Sequence, residues 1–275
     1  MEIWDQHVHS RYSKDAFSGM IEMALAEAAA GIDGICFTDH CDLEHYDTGL
    51  EDADCWRPEE LFSEFKAAKE AVDGKICLHI GLELGSGNHL PQRAEEINKS
   101  SLDFIIGSVH NLRGMPDFYM GTVGAQMYTS HEVCYGLLGR YIDEYIELVH
   151  YGFLDVLGHI GYPLRYMRKM GFDVSLKPLT DRLTLLLKTV IESGKGIELN
   201  TSGYRKWLSE PLPAPFILEL YHTLGGEIIT VGSDAHTPSE AGADVKKCLT
   251  LLRDLGYKYY CVYKDRKPEF IRLDL

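Results

Sequence analysis

Seven short β-rich runs, each followed by a helical pattern, constrain this chain more than any other feature. They cover residues 2–8, 34–40, 76–84, 104–110, 156–160, 197–201 and 228–233. Between them, residues 58–72 put Leu61, Phe62, Phe65 and Ala68 on one helical face. Residues 129–151 repeat apolar side chains from Val133 through Leu137, Leu138, Tyr141, Ile142 and Tyr145 to Leu148. Ser18 is placed to cap a helix running to Ala30, with Gly31 as its stop. Segments 179–191, 214–224 and 239–255 complete the helical set. Repeated β-then-α order predicts a parallel sheet, either closed as a barrel or doubly wound. A length of 275 residues suits one α/β barrel as well as two smaller domains. The tail, 258–274, holds a KDRKP turn between two β-like runs and reads as a hairpin appended to the barrel. Loops 85–90 and 113–127 carry glycines and are expected at the rim.

The C-terminal ends of these runs carry an unusual set of side chains. The first ends in His7-Val8-His9 and the second in Thr38-Asp39-His40. The third carries Glu83 in GLELG. The fourth ends in Ser108-Val109-His110, the fifth in Gly158-His159, and the last in Ser233-Asp234-Ala235-His236. Six of the twelve histidines thus sit where parallel barrels place their catalytic groups, which scattered core histidines have no reason to do. Side chains alternate along a strand, so His7 and His9 face the same way, as do Asp234 and His236. Imidazole nitrogen and carboxylate oxygen are the donors that Zn, Mn, Fe and related ions take. A lone H-x-H would be a weak signal. The same chemistry at successive strand ends is a strong one.

Composition narrows the partners. With 27 Lys and Arg against 42 Asp and Glu the formal charge is −15, which opposes long polyanions and anionic lipid while leaving room for a local cationic site. The opening MEIWDQHVH has no signal-peptide features, and no apolar run approaches the roughly 18 residues of a membrane span. Cys36, Cys41, Cys55, Cys77, Cys134, Cys248 and Cys261 form no CxxC pair. Reduced structural thiols in the cytoplasm are expected.

The motifs DQHVHSRYSKDA (5–16), ICFTDH (35–40), GLELG (81–85), DFIIGSVH (103–110), VLGHI (156–160), IELNTSGYRK (197–206) and TVGSDAH (230–236) resemble those of the PHP superfamily, named for polymerase and histidinol phosphatase. Within it, ELNTSGYRK and the length point to the histidinol-phosphate phosphatase family. The resemblance implies an α/β fold, a distorted (β/α)7 TIM-like barrel spanning 1–275 as a single domain with the hairpin tail. It implies two or three divalent transition-metal ions, Zn, Fe, Mn or Co. Mapped by motif, His7, His9, Glu83 and Asp234 would hold one ion. Glu83 would bridge to a second, completed by His110 and His159. Asp15, His40 and His236 would hold the third, with Asp15 promoted by the family pattern alone.

A carboxylate bridging two cations fits two-metal hydrolysis. The expected reaction is attack of a metal-bridging hydroxide on L-histidinol phosphate, releasing L-histidinol and inorganic phosphate in histidine biosynthesis. Glu83, Asp234 and His236 would carry the chemistry, and Arg165 and Arg205 would grip the phosphate as planar forks. Related phosphatases often have an acidic residue at the position of Gly161. The partner is a small phosphate ester, with no nucleic acid or membrane; monomer and homodimer stay open. Competing readings are a PHP-fold phosphoesterase acting on another small ester or a nucleotide, a PHP exonuclease, and a non-enzymatic metal-binding protein.

Several residues are read more plainly. Asp5 shares parity with His7 and is expected to orient a ligand histidine from behind, and Asp39 is expected there too. His45, His89, His131, His150 and His222 read as surface or satisfied core residues, and His79 as core filler. Cys41 reads as a structural thiol, and Cys36 and Cys77 as strand interior. Tyr119, Tyr128, Tyr162 and Tyr204 are candidates for the pocket mouth. Asp42, Glu44 and Asp47 are either a solvated charge run or a receiver for a cationic substrate group.

Overall fold

The computed structural model describes residues 1–124 and 126–274; Ala125, within the 113–127 loop, and Leu275 lie outside the described residues. In chain order the elements are β1 (Trp4–Val8), α1 (Met20–Ala29), β2 (Gly34–Phe37), β3 (His40–Asp42), α2 (Pro58–Val72), β4 (Cys77–Gly85), α3 (Pro91–Asn98), β5 (Phe104–Ser108), α4 (His131–Tyr151), β6 (Val156–Leu157) and α5 (Tyr162–Lys169). There follow α6 (Thr180–Glu192), β7 (Gly196–Asn200), α7 (Pro215–Thr223), β8 (Ile229–Gly232), α8 (Val245–Asp254), β9 (Tyr259–Lys264) and β10 (Lys267–Arg272). Strands run in the spatial order β1-β2-β4-β5-β6-β7-β8, every neighbour parallel. The ring closes where the Asp234 amide donates to the His7 carbonyl at 2.8 Å and the His9 amide to Ala235 at 2.9 Å. A barrel, not an open doubly wound sheet, is the outcome. Among the described residues, no helix is long and apolar enough to cross a membrane.

Two expected strands are cut short by polar side chains that compete with the ladder. Run 34–40 breaks at Thr38-Asp39, because the Asp39 carboxylate accepts the Ser10 amide at 2.6 Å and the Ser13 hydroxyl at 2.7 Å. His40–Asp42 then pairs with β4 alone. Run 156–160 keeps only Val156–Leu157, since the His159 amide turns to the Glu198 carboxylate at 2.8 Å. The first helix starts at Met20 behind Gly19, not at a Ser18 cap; Glu64 of α2 takes the Met20 amide at 3.1 Å. The last helix starts at Val245, after Asp244 in left-handed conformation at φ 59°. The eight-residue helices α3 and α5 escape periodicity because they are so short, although each has a proline in its first turn, Pro91 and Pro163, whose φ suits that place.

The tail is more than an appendage. β9 and β10 form an antiparallel hairpin through Asp265 and Arg266, both at positive φ. Cys261 and Tyr263 of β9 pack with Cys36, Phe104, Ile106 and Val156 inside the barrel. The Tyr263 amide donates to Gln6 Oε1 at 2.9 Å, and its carbonyl bonds His79 Nδ1 at 2.8 Å. His79 is therefore packing, as expected. The hairpin plugs the N-terminal mouth and leaves the C-terminal mouth for the polar cluster.

Candidate metal centre

His7 and His9 leave β1 on the same side, and their Nε2 atoms lie 3.0 Å apart. A register irregularity between β1 and β2, falling between Asp5 and Val8, accompanies this placement. Asp234 Oδ1, from the turn after β8, stands 3.2 Å from His9 Nε2 and 3.8 Å from His7 Nε2. Glu83 lies between two groups. Its Oε2 is 3.2 Å from His7 Nε2 and 2.8 Å from His40 Nδ1, while its Oε1 is 2.7 Å from His159 Nε2 and 3.1 Å from His110 Nε2. Asp15 Oδ1 faces His236 Nε2 at 3.2 Å and His40 Nε2 at 3.7 Å. Donor atoms within 4.8 Å of one another group as His7, His9 and Asp234; as Glu83, His110 and His159; as His9, His40 and His236; and as His40, Asp42 and His110. All nine metal-ligand candidates of the sequence therefore meet at one end of the barrel.

Whether ions fit can be judged from the far side of each ring. His7 Nδ1 faces Glu198 Oε1 at 2.6 Å and His110 Nδ1 faces Asp42 Oδ1 at 2.8 Å. His9 Nδ1 meets the Ser13 hydroxyl at 2.8 Å, whose own proton goes to Asp39, and His236 Nδ1 meets the Asp234 carbonyl at 3.0 Å. Hydrogen bonding thus assigns the proton to Nδ1 in these four rings and leaves their inward Nε2 atoms as lone pairs; His159 Nδ1 is buried without a hydrogen-bond partner, and His40 turns Nδ1 towards Glu83. The His7 and His9 lone pairs, buried 3.0 Å apart and ringed by carboxylates, need a cation between them.

The electrostatics agree. Burial pushes the Glu83 carboxyl up, but His40, His7 and His110 outweigh it and hold it well below the carboxylate range. Asp234 is likewise held down against burial by its bond to His9 and the charge of His7. Burial drives His9 well below the imidazole range, reinforced by His236 and His40. With protons as the only cations available, His7 and His110 are held well above that range: burial opposes this, and Glu198 with Glu83, and Asp42 with Glu83, outweigh it.

Arg165 is fully buried. Its Nη2 donates to the Ser202 hydroxyl at 2.8 Å, and its guanidinium lies 5.0 Å from the Tyr162 ring centre. Arg205 Nη2 donates to the Ser233 carbonyl at 2.6 Å, beside Asp234. The Nε of each arginine is buried without a hydrogen bond, that of Arg205 lying 3.7 Å from Glu240 Oε1. Of the candidate mouth tyrosines, Tyr162 belongs here, its ring 5.0 Å from His110 and 5.2 Å from His159. Tyr128 is buried against the Phe118 carbonyl, Tyr204 lies under Lys247, and Tyr119 packs on Tyr166.

Three expectations change. Asp5 pins backbone rather than a ring: its Oδ1 accepts the His7 amide at 3.2 Å and the Ser233 amide at 2.8 Å. Asp42 and Glu44 are half-buried and already engaged, since Asp42 holds His110 and Glu44 holds His89 at 2.8 Å and Asn111 at 2.6 Å, while Asp47 is exposed. Cys77 is exposed, while Cys36 and Cys41 are buried. The residue missed altogether is Glu198. Its signal was present, an acidic residue in the middle of an apolar buried strand.

A family model described as PHP domain matches residues 5–202. A Deinococcus radiodurans protein named probable histidinol-phosphatase is 28% identical over 265 residues, covering 92% of this chain and 93% of that protein. The Lactococcus lactis histidinol-phosphatase is 26% identical over 268 residues, covering 97% and 96%. In three dimensions the chain resembles the L. lactis histidinol phosphate phosphatase solved with Zn, L-histidinol and phosphate. The TM-score is 0.81 at 22% identity, covering 98% of this chain and 99% of that one. With the family model spanning most of a barrel whose strand ends converge in this way, the chain belongs to the PHP domain family.

Proposed function

We propose that this chain is a metal-dependent phosphatase that hydrolyses L-histidinol phosphate to L-histidinol and inorganic phosphate, as a single domain over 1–275 working in the cytoplasm in histidine biosynthesis. The observation that carries the chemistry is Glu83, whose two oxygens face two separate histidine groups. The substrate follows from relatives of the same length that bear the histidinol-phosphatase name.

In this reading His7, His9, Glu83 and Asp234 hold one divalent transition ion, Glu83, His110 and His159 a second, and Asp15, His40 and His236 a third. Such ions, when bound, lower the pKa of water and clamp the oxygens of a phosphoryl transfer. The protein supplies the rest. Arg165 and Arg205 grip the phosphate oxygens, with Tyr162 and Ser202 holding Arg165 in line. Metal-bound water, Asp234 and His236 are the three candidates for protonating the leaving oxygen. His236, bonded to the Asp234 carbonyl, keeps that turn aligned.

The test is turnover by purified protein loaded with Zn or Mn, on histidinol phosphate beside a panel of phosphomonoesters and single-stranded DNA. Strong preference for histidinol phosphate is expected. Equal slow turnover of every monoester would remove the substrate and keep the phosphatase. DNA degradation without monoester turnover would turn the reading to an exonuclease. Elemental analysis after chelator-free purification identifies the ions.

A further inference from the structure

The carboxylate of Glu198 touches both halves of the cluster. Its Oε1 accepts from His7 Nδ1 at 2.6 Å; its Oε2 accepts the His159 amide at 2.8 Å and the Asn200 side-chain amide at 3.2 Å. Glu198 is 1% exposed, and no lysine or arginine bonds it among the described residues. One glycine clears its place, and a second clears that of a neighbouring hydroxyl. A Cβ at Gly232 would meet the His7 Cβ and lie 2.6 Å from Glu198 Oε1. A Cβ at Gly158 would lie 2.5 Å from the Ser108 hydroxyl that bonds Glu83. Apart from His7, only uncharged donors surround this buried carboxylate, so its charge is compensated through the His7 ring, by a proton or by a cation at the opposite ring nitrogen.

We propose that Glu198 is a positioning residue that couples the first two ions. It fixes the His7 proton on Nδ1, which aims Nε2 at one ion, and through the His159 backbone it sets a ligand of the other. Filling one group then orders the carboxylate that braces the second. Glu198 makes no hydrogen bond to Asp15, His40 or His236, so the third group lies outside this coupling. The inference rests on the metal-binding reading above and is separable from the identity of the substrate.

The test is Co(II) titration of chelator-stripped protein, followed by visible absorption and by competition with a chelator of known affinity. Wild type, E198Q and E198D are compared, each checked for folding without metal by circular dichroism and thermal melting. Wild type is expected to take up its first two ions together. E198Q, which keeps the size and loses an acceptor, is expected to bind them one at a time and 10–100-fold more weakly. Its cobalt spectrum should be altered, with third-site affinity and apo melting close to wild type. E198D, too short to reach both partners, should fall between the two. A purely structural role predicts instead lowered apo melting and equal weakening of every site. That outcome, or wild-type affinity and spectrum in E198Q, overturns the coupling. A wild type that takes up no cobalt overturns the metal reading itself.

Discussion

Glu83 has the least freedom of any residue in the cluster. It is buried, its two oxygens face opposite histidine groups, and the Ser108 hydroxyl fixes its plane at 2.7 Å. Glu83→Ala should remove ions and turnover together, by more than the roughly 100-fold expected of an outer partner; near-full turnover with retained metal would sink the bridging role. Arg205 acts on binding instead. Losing a charge-assisted contact to phosphate should raise KM roughly 10–100-fold with a smaller change in kcat, and an unchanged KM in R205A steady-state kinetics would take it out of the site. At this scale the sequence was most legible for groups that touch the ion. Ligand chemistry restricts those positions to His, Asp and Glu, and strand ends restrict where they fall. The braces were less legible. Asp42 looked like part of a charge run, and Ser13 and Glu198 fall inside the motifs with no spacing that marks them as braces, because any acceptor at the right place in three dimensions can serve a ring N–H.

The elements meet around the centre through a second polar layer. Glu144 and Glu147 of α4 reach Asn88 and His89 in the loop after β4, and His89 continues to Glu44 after β3. His89 Nε2 lies 2.9 Å from Glu144, and Nδ1 lies 2.8 Å from Glu44. Burial lowers the His89 pKa, but the two glutamates outweigh it and raise it to about 9 from 6.5. Its contribution to stability is complete below pH 6.5 and is lost as the pH climbs through 9. Glu144 is held down at about 2 against burial, chiefly by its bond to His89, so its contribution is complete above pH 4.5 and lost as the pH falls towards 2. H89A should therefore cost the most between these limits, about 3 kcal/mol near pH 6, and far less near pH 10. Urea unfolding of the metal-free proteins at both pH values measures it, and a pH-independent difference would remove the ionic account. The long periodic helices were legible because their packed faces repeat. The strand breaks at Asp39 and His159 were not, since a side chain elsewhere in the chain takes over a backbone partner.

Across the whole molecule the barrel is closed by different means at its two ends. The C-terminal mouth gathers lone pairs and carboxylates that call for cations. The N-terminal mouth is filled by β9, with Tyr263 stacked on Phe104 at 4.8 Å and Arg266 bonded to Asp155 at 2.6 Å. Tail composition signalled a hairpin and could not show that its inner residues complete the core. Tyr263→Ala should cost about 3–5 kcal/mol, as removal of a large buried aromatic does. That lowers the melting midpoint by on the order of 10 °C. Metal removal should act separately. Ions that bind the folded chain at a thousandfold excess over Kd add about 4 kcal/mol each, and a chelator takes that away. Among the described residues Tyr263 makes no hydrogen bond to a metal-ligand candidate, so the effects should add within about 0.5 kcal/mol in a cycle of wild type and Y263A, each with and without metal. Additivity, with metal content unchanged in Y263A, is the expected outcome. A large coupling term would mean that the plug transmits its packing up the strands to the ligands.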